Sequence, residues 1–258
     1  PAAYEEGGPG VDLSPAQRRF ETGGVHRYWE RFDQLQGMLR ASQSMQACVH
    51  SLRAVPWDQV QRHIAEAHGR GLKLHVHLEE QPRELAEIKA AYGDHPVRLL
   101  LDSGLPVEHL VGVHMTHTPE SQLVEWLERG ATILPCPLTE GDLGDGFPVL
   151  PDLPHLKNQL ALGTDSNLRI SMFEEMRRLE HDQRCRTLRR GALCCGGDAP
   201  AEVLWRAAST GGRLALGLSE SGPSLAINQR HLLLTSAEDS SLLDALVFGG
   251  DERVLGSK

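Results

Sequence analysis

The stretch GLKLHVHLEEQ, from Gly71 to Gln81, decides how the rest of the chain is read. Leu72, Leu74, Val76 and Leu78 alternate with Lys73, His75 and His77, the two-residue period of a β-strand with one apolar and one polar face. A short strand that buries its apolar side under helices and turns a polar column inward suits the wall of an α/β barrel, where chemistry gathers at the strand's C-terminal end. His77, Glu80 and Gln81 occupy that end.

Working outward, the pattern repeats on both sides. Upstream, Val25, Tyr28, Trp29, Phe32, Leu35 and Leu39 recur at helical spacing, and SMQACVHS then reads as a strand with Met45, Ala47 and Val49 on one face and Gln46, Cys48 and His50 on the other. Pro56 opens a helix through Val60, Ile64 and Ala67. Downstream, two helical segments lead to the strand LVGVHMTH, whose Gly112 and His114 share a face, and Pro119 starts the next helix. ATILPCP is a further strand, followed by LTEGDLGDGFPVLPDLP, read as a long functional loop, and by a strand QLALGTDSN with Ala161, Gly163 and Asp165 on one face. Small residues below Asp165 are expected to leave room for an ion. Ser171 and Glu174 form a capping-box pattern for a helix whose Arg177, Arg178, Arg184 and Arg186 read as a solvated face. Asp198 reads as the cap of a helix over Ala201 to Ala208, and TGGRLALGL as one more short helix.

Strand and helix alternate from Ser44 to about Leu218 without hairpin signals, which predicts an α/β fold with a parallel sheet, a partial (β/α)8 TIM-like barrel. Residues 1–218 are assigned to an incomplete barrel. Residues 219–258, with the β-like pieces HLLLTS and ALVFGG, are assigned to the remnant of a small β-sandwich.

His50, His77, His114 and Asp165 each close a predicted strand, so a barrel would project all four from one rim. Imidazole is the commonest ligand of hydrolytic metal ions, and Glu80, three residues beyond His77, is placed to shuttle protons to water. Taken singly, each residue is as well explained as a buried or solvated polar group; their shared position at strand ends is what points to a metal site.

The composition narrows the partners. A formal charge of −9 disfavours nucleic acid and anionic membranes. No apolar run has the length of a membrane span. Five cysteines, Cys48, Cys136, Cys185, Cys194 and Cys195, without a C-x-x-C pair argue for a reducing compartment, hence a cytoplasmic location. The N-terminus lacks both an initiator Met and a signal-peptide pattern, which suggests a fragment, a processed chain or an incomplete gene product. An anionic substrate would need a local arginine, such as Arg53, against this field. A homodimer is left open.

The strings CVHSLRAVP, LHVHLEEQ, VHMTH, LTEGDLGDGF and LGTDSN, in that order, resemble the deaminase branch of the amidohydrolase superfamily, and within it the formimidoylglutamate deiminases of histidine breakdown. The resemblance spans essentially Glu6 to Gly250. It implies a zinc-bearing (β/α)8 barrel with a small β-sandwich, and hydrolysis of N-formimino-L-glutamate to N-formyl-L-glutamate and ammonia. By that resemblance His77 and Asp165 are metal ligands, and Asp165 also takes the proton of the attacking water. Glu80 passes protons, and His114 orients or polarises the water. His50 and Arg53, with Gln81 beside them, grip the substrate, Arg53 holding a glutamate carboxylate.

The chain departs from this family in three named places. It has no H-x-H strand before Met45 to supply two more zinc ligands, so weak metal binding is expected, with His75, His114 or His117 as replacements. Asn167 stands where the family has a histidine, and Glu79 is expected to add a negative charge beside the metal. Lacking early strands, the barrel is expected to have open edges and exposed apolar faces, and the chain alone to be inactive or poorly folded. The competing readings are a deaminase of the guanine or chlorotriazine type, where Arg53 has no carboxylate to meet, and a degenerate paralogue that keeps only the scaffold.

Overall fold

Four short strands form one parallel sheet in sequential order: β1 (Ala47–Ser51), β2 (Leu74–Leu78), β3 (Leu110–His114) and β4 (Thr132–Leu134). The computed structural model describes residues 2–150, 158–194, 197–222 and 224–256. Residues 151–154 of the expected loop, and Cys195, lie outside them. Pairing in register sets Ala47 beside Leu74 and Leu74 beside Leu110, so the strands end at a common rim.

Prolines and glycines punctuate the helices as the sequence implies. After α1 (Val25–Gln36), Pro56 is the N-cap of α2 (Trp57–Gly69). Pro82 opens α3 (Pro82–Tyr92), Pro96 opens α4 (Pro96–Asp102), and Pro119 caps α5 (Glu120–Glu128). Proline belongs there because the first turn has no intrahelical partner for its missing N–H.

The alternation in β1 and β2 sorts the side chains. Ala47, Val49, Leu74, Val76 and Leu78 are buried, while Cys48, His50, His75 and His77 are half-buried on the other face. The buried set packs with Tyr28, Phe32, Ile64, Ile88, Leu100, Leu110 and Trp126 into one core beneath the helices.

Both sheet edges continue beyond the named strands. Ala3 bridges Val49 in parallel fashion on the β1 side. On the β4 side the segment QLALGTDSN follows as a fifth line: the Ile133 amide donates to the Gln159 carbonyl at 2.8 Å and the Ala161 amide to the Ile133 carbonyl at 2.9 Å. Among the described residues that segment holds a single bridge rather than a full strand. Gly211 lies against it so closely that a Cβ there would come within 1.9 Å of the Leu160 carbonyl oxygen.

Several expectations need correction. The segment read as one long loop begins as a helix, α6 (Pro137–Leu143), started by Pro137 and stopped by Gly144 in the left-handed region at φ 74°. Gly163 makes no room for an ion; a Cβ there would meet Leu134 Cδ2 at 2.6 Å and Cys136 Sγ at 3.1 Å. Ser171 does cap α7 (Met172–Thr187), but Glu174 turns to Arg169 instead of closing the box. The arginines of α7 are ties, not a solvated face: Arg177 donates to the carbonyls of Val247 at 3.0 Å and Gly250 at 2.7 Å. Asp198 pairs with Arg206 at 2.6 Å, and Ala199 is the N-cap of α8 (Pro200–Arg206), which runs on through Ala207–Gly211 into α9 (Gly212–Ala215).

The two tail pieces read as β-like form no strand among the described residues, although Ile227 and Leu255 make one antiparallel bridge. Leu242–Asp244 and Ala245–Gly249 form helical turns, and Leu246, Val247 and Val254 join the main core. Leu242, Leu243, Leu246 and Val247 recur at helical spacing, a period that the short apolar runs conceal. Exposed apolar side chains do occur, with Leu168 and Ile170 standing outside α7.

Candidate active site

The rim residues converge. The His50 and His77 rings have centroids 5.0 Å apart, and the His77 and His114 rings lie 5.3 Å apart and nearly parallel. His114 Nε2 stands 3.7 Å from both Glu80 Oε1 and Asp165 Oδ2. One donor atom each from His77, His114 and Asp165 falls within 4.8 Å of the others.

The orientation of each ring is set by its second nitrogen. His77 Nδ1 faces the His50 carbonyl oxygen at 2.6 Å, and His114 Nδ1 faces Glu140 Oε1 at 3.2 Å. Such partners fix the tautomer and free Nε2 for a cation. Glu140 is fully buried and went unnoticed in sequence because it hides in the Gly- and Asp-rich stretch read as loop. Its placement follows from α6, which is docked by the Leu138 amide on Glu175 at 2.9 Å and by Thr139 Oγ1 on the Thr164 carbonyl at 3.1 Å. Asn167 donates to Asp142 at 2.9 Å and helps hold α6 against the Asp165 loop.

The backbone is strained at the rim. His114, Met115, Asp165 and Glu79 all have φ between 50° and 67°, and Leu188 is the one other described non-glycine residue in that region. Left-handed conformations cost such residues free energy, and their clustering at one site marks positions the fold over-determines.

Electrostatics separate the groups. Burial pushes His50 down to about 3, with the charges of His77 and Arg53 acting the same way, so it is neutral at physiological pH. His77 is also lowered, chiefly by burial and then by His114. Burial alone would lower His114, yet the Glu140 hydrogen bond and the Glu80 and Asp165 carboxylates outweigh it and the net shift is upward. Glu80 is raised, mainly by burial and further by Asp145 and Asp165, while His114 opposes the shift. A carboxyl group raised in this way suits proton transfer near neutrality.

Two cavities meet at His50, His77 and Glu80. One of about 520 Å³ is lined by Arg53, Gln81, Arg83 and Glu84 as well, and the other, of about 550 Å³, by Tyr4, Arg19, Arg31 and Asp165. Arg53 donates from Nη1 to the Gly7 carbonyl at 3.0 Å, which anchors one edge of its guanidinium. Glu84 accepts from the Glu80 amide at 3.0 Å and holds that backbone in place.

Not every expected residue joins the cluster. His75 points lower in the sheet, its Nε2 on the Ala215 carbonyl at 2.8 Å. Glu79 is not beside the cation site: it is fully buried and accepts from the Val97 amide at 3.0 Å, at the start of α4. A carboxylate there meets the positive end of the helix.

The cluster fits a divalent metal. His114 Nε2 is buried and makes no hydrogen bond, although two carboxylates lie near it, and two imidazoles with one carboxylate are a donor set for zinc or a similar ion. Residues 14–228 match the amidohydrolase family. The chain belongs to that family. Among its curated relatives, the formimidoylglutamate deiminase of Pseudomonas aeruginosa is 34% identical over 98% of this chain and 58% of its own length. A 5-methylthioadenosine/S-adenosylhomocysteine deaminase of Syntrophobacter fumaroxidans is 33% identical over 56% of this chain and 32% of its own length. The chain thus spans well under two thirds of these relatives. Among solved structures, an amidohydrolase from Brucella melitensis superposes with a TM-score of 0.81 at 26% identity, covering 99% of this chain and 57% of that one. An adenosine deaminase from Xanthomonas campestris with bound zinc gives 0.75 at 25% identity, over 89% of this chain and 54% of that one. This amidohydrolase chain therefore has the parallel α/β architecture of the (β/α)8 type. No described helix is long and apolar enough to cross a membrane.

Proposed function

We propose that the chain supplies the His77, His114 and Asp165 part of a zinc-dependent deiminase site that hydrolyses N-formimino-L-glutamate to N-formyl-L-glutamate and ammonia. The observation that carries this reading is Arg53, a guanidinium lining the same cavity as His50, His77 and Glu80. An arginine fork offers a carboxylate two parallel hydrogen bonds, which an amino-acid substrate can use and an uncharged ring cannot. The likeness to a formimidoylglutamate deiminase across nearly the whole chain supports it.

His77, His114 and Asp165 would hold the ion, which when bound supplies Lewis acidity that makes water a nucleophile near neutral pH. Asp165 accepts the proton of the attacking water on a carboxylate oxygen. Glu80, raised by burial, delivers a proton to the departing nitrogen so that ammonia rather than amide leaves. His50, neutral and next to His77, hydrogen-bonds the substrate while Arg53 holds its carboxylate, and Gln81 lines the same wall. By the resemblance, two further ligands would come from an H-x-H strand.

The test is an ammonia assay on a chain that includes such a strand, supplied with zinc and offered formiminoglutamate, guanine and methylthioadenosine separately. Release from formiminoglutamate alone is expected. Preferred release from either ring compound would replace this reading with a ring deaminase, and zinc binding without turnover of any of the three would favour a scaffold that has lost catalysis.

A further inference from the structure

β3 carries a second histidine at its opposite end. His109 and Glu108 form part of the single 3-10 turn Val107–His109 that feeds the strand, and His68 lies in the last turn of α2. One donor atom from each of these three residues lies within 4.8 Å of the others, and none belongs to the rim. His68 Nδ1 is 3.7 Å from Glu108 Oε1, and the His68 and His109 rings meet edge to face with centroids 4.7 Å apart.

We infer that His68, Glu108 and His109 form a second, separate binding site for a zinc-like divalent cation on the face of the sheet where the strands begin. Two imidazoles and a carboxylate select a borderline ion such as Zn²⁺, Ni²⁺ or Cu²⁺ over Ca²⁺ or Mg²⁺, which take oxygen donors. Bonds of about 2.0–2.2 Å around a tetrahedral ion put donors roughly 3.4 Å apart, so side-chain rotations of about 1 Å close the set and leave the fourth position to water.

A second observation also points to a ligand. His109 Nδ1 is buried without a hydrogen-bond partner, unlike the ring nitrogens of His77 and His114 that orient the rim. The site also lies at the C-terminal end of α2, where the helix dipole presents partial negative charge to a cation. Opposing this, Lys73 stands nearby, but its ammonium is engaged by the Glu108 backbone carbonyl at 3.0 Å. The donors come from two elements that are neighbours only in the fold, so a bound ion would clip the end of α2 to the entry of β3. His68 and Glu108 have side chains 46% and 48% exposed, which gives the ion a path from solvent and makes their replacement tolerable to the fold.

The probe is zinc alone, titrated into the full chain by calorimetry, with bound metal counted by mass spectrometry. His68→Ala/His109→Ala is expected to lose one equivalent of zinc, or to bind it at least about tenfold more weakly, with an unchanged circular dichroism spectrum. His77→Ala is expected to keep that equivalent, which separates this site from the rim and its outcome from that of the proposed activity. Without any variant, zinc should protect His68 and His109 of the native chain from diethyl pyrocarbonate, read by peptide mass. Equal zinc content and affinity in the native chain and the double variant, or unchanged modification of both histidines in zinc, would overturn the inference.

Discussion

The two ends of β3 hold the same residue types and differ in nearly everything else. At its C-terminal end His114 is wholly buried, in a strained backbone, oriented by the buried Glu140 and faced by Glu80 and Asp165. At its N-terminal end His109 and Glu108 sit in an unstrained turn beside the exposed His68. Ligand chemistry alone therefore does not distinguish a reaction centre from a clip. The rim differs because it joins donors to cavities and to carboxyl groups whose pKa values are raised by burial.

The sharpest way to break this contrast is at Asp165. In a chain with the full ligand set of the proposed site, Asp165→Asn is expected to lower kcat on formiminoglutamate by about 10³-fold, since general-base groups contribute 10²–10⁴; a change of less than tenfold in the ammonia assay would strip the rim of its role. Glu140→Ala leaves a buried imidazole without its partner and is expected to cost on the order of 3 kcal/mol in urea unfolding. The same change at Glu108, on the exposed end, should cost under about 1 kcal/mol.

A third histidine, away from both ends, shows chiefly the effect of burial, with the Arg62 charge acting the same way. His63 is fully inside α2's packing against Tyr28 and Trp29, and burial lowers it to about 4. Between pH 6.5 and 4 the unfolded chain takes up a proton at His63 that the folded chain refuses, so stability is lost as pH falls across that window. At 1.36 kcal/mol per pKa unit the loss approaches roughly 3 kcal/mol. Urea titrations of the native chain and His63→Leu should diverge there and run parallel above pH 7. At the rim a smaller effect than that of Asp165 is expected at Arg53. Arg53→Lys keeps the charge but loses the fork, and should raise KM for formiminoglutamate about 30-fold with kcat changed far less.

The fold was legible because its signals are local. Period-two alternation set β2, prolines set the helix starts, and His50, His77 and His114 were visible at the ends of β1 to β3, with Asp165 following the single bridge at Leu160. Glu140 was not, because its helix lies in a stretch whose Gly, Pro and Asp content reads as loop, and a four-residue step from Cys136 matters only once α6 is docked. Glu79 shows the same limit. Adjacent to Glu80 in the chain, it turns the other way to satisfy an amide of α4, a partner eighteen positions later.

By itself the sequence determined the four parallel strands, most of the helix starts and which histidines crown three of the strands, because period, capping and residue type act over a few positions. Only the tertiary structure decided which carboxylates face which imidazoles, and that β3 has a cluster at each end, since those distances depend on how elements tens of residues apart pack.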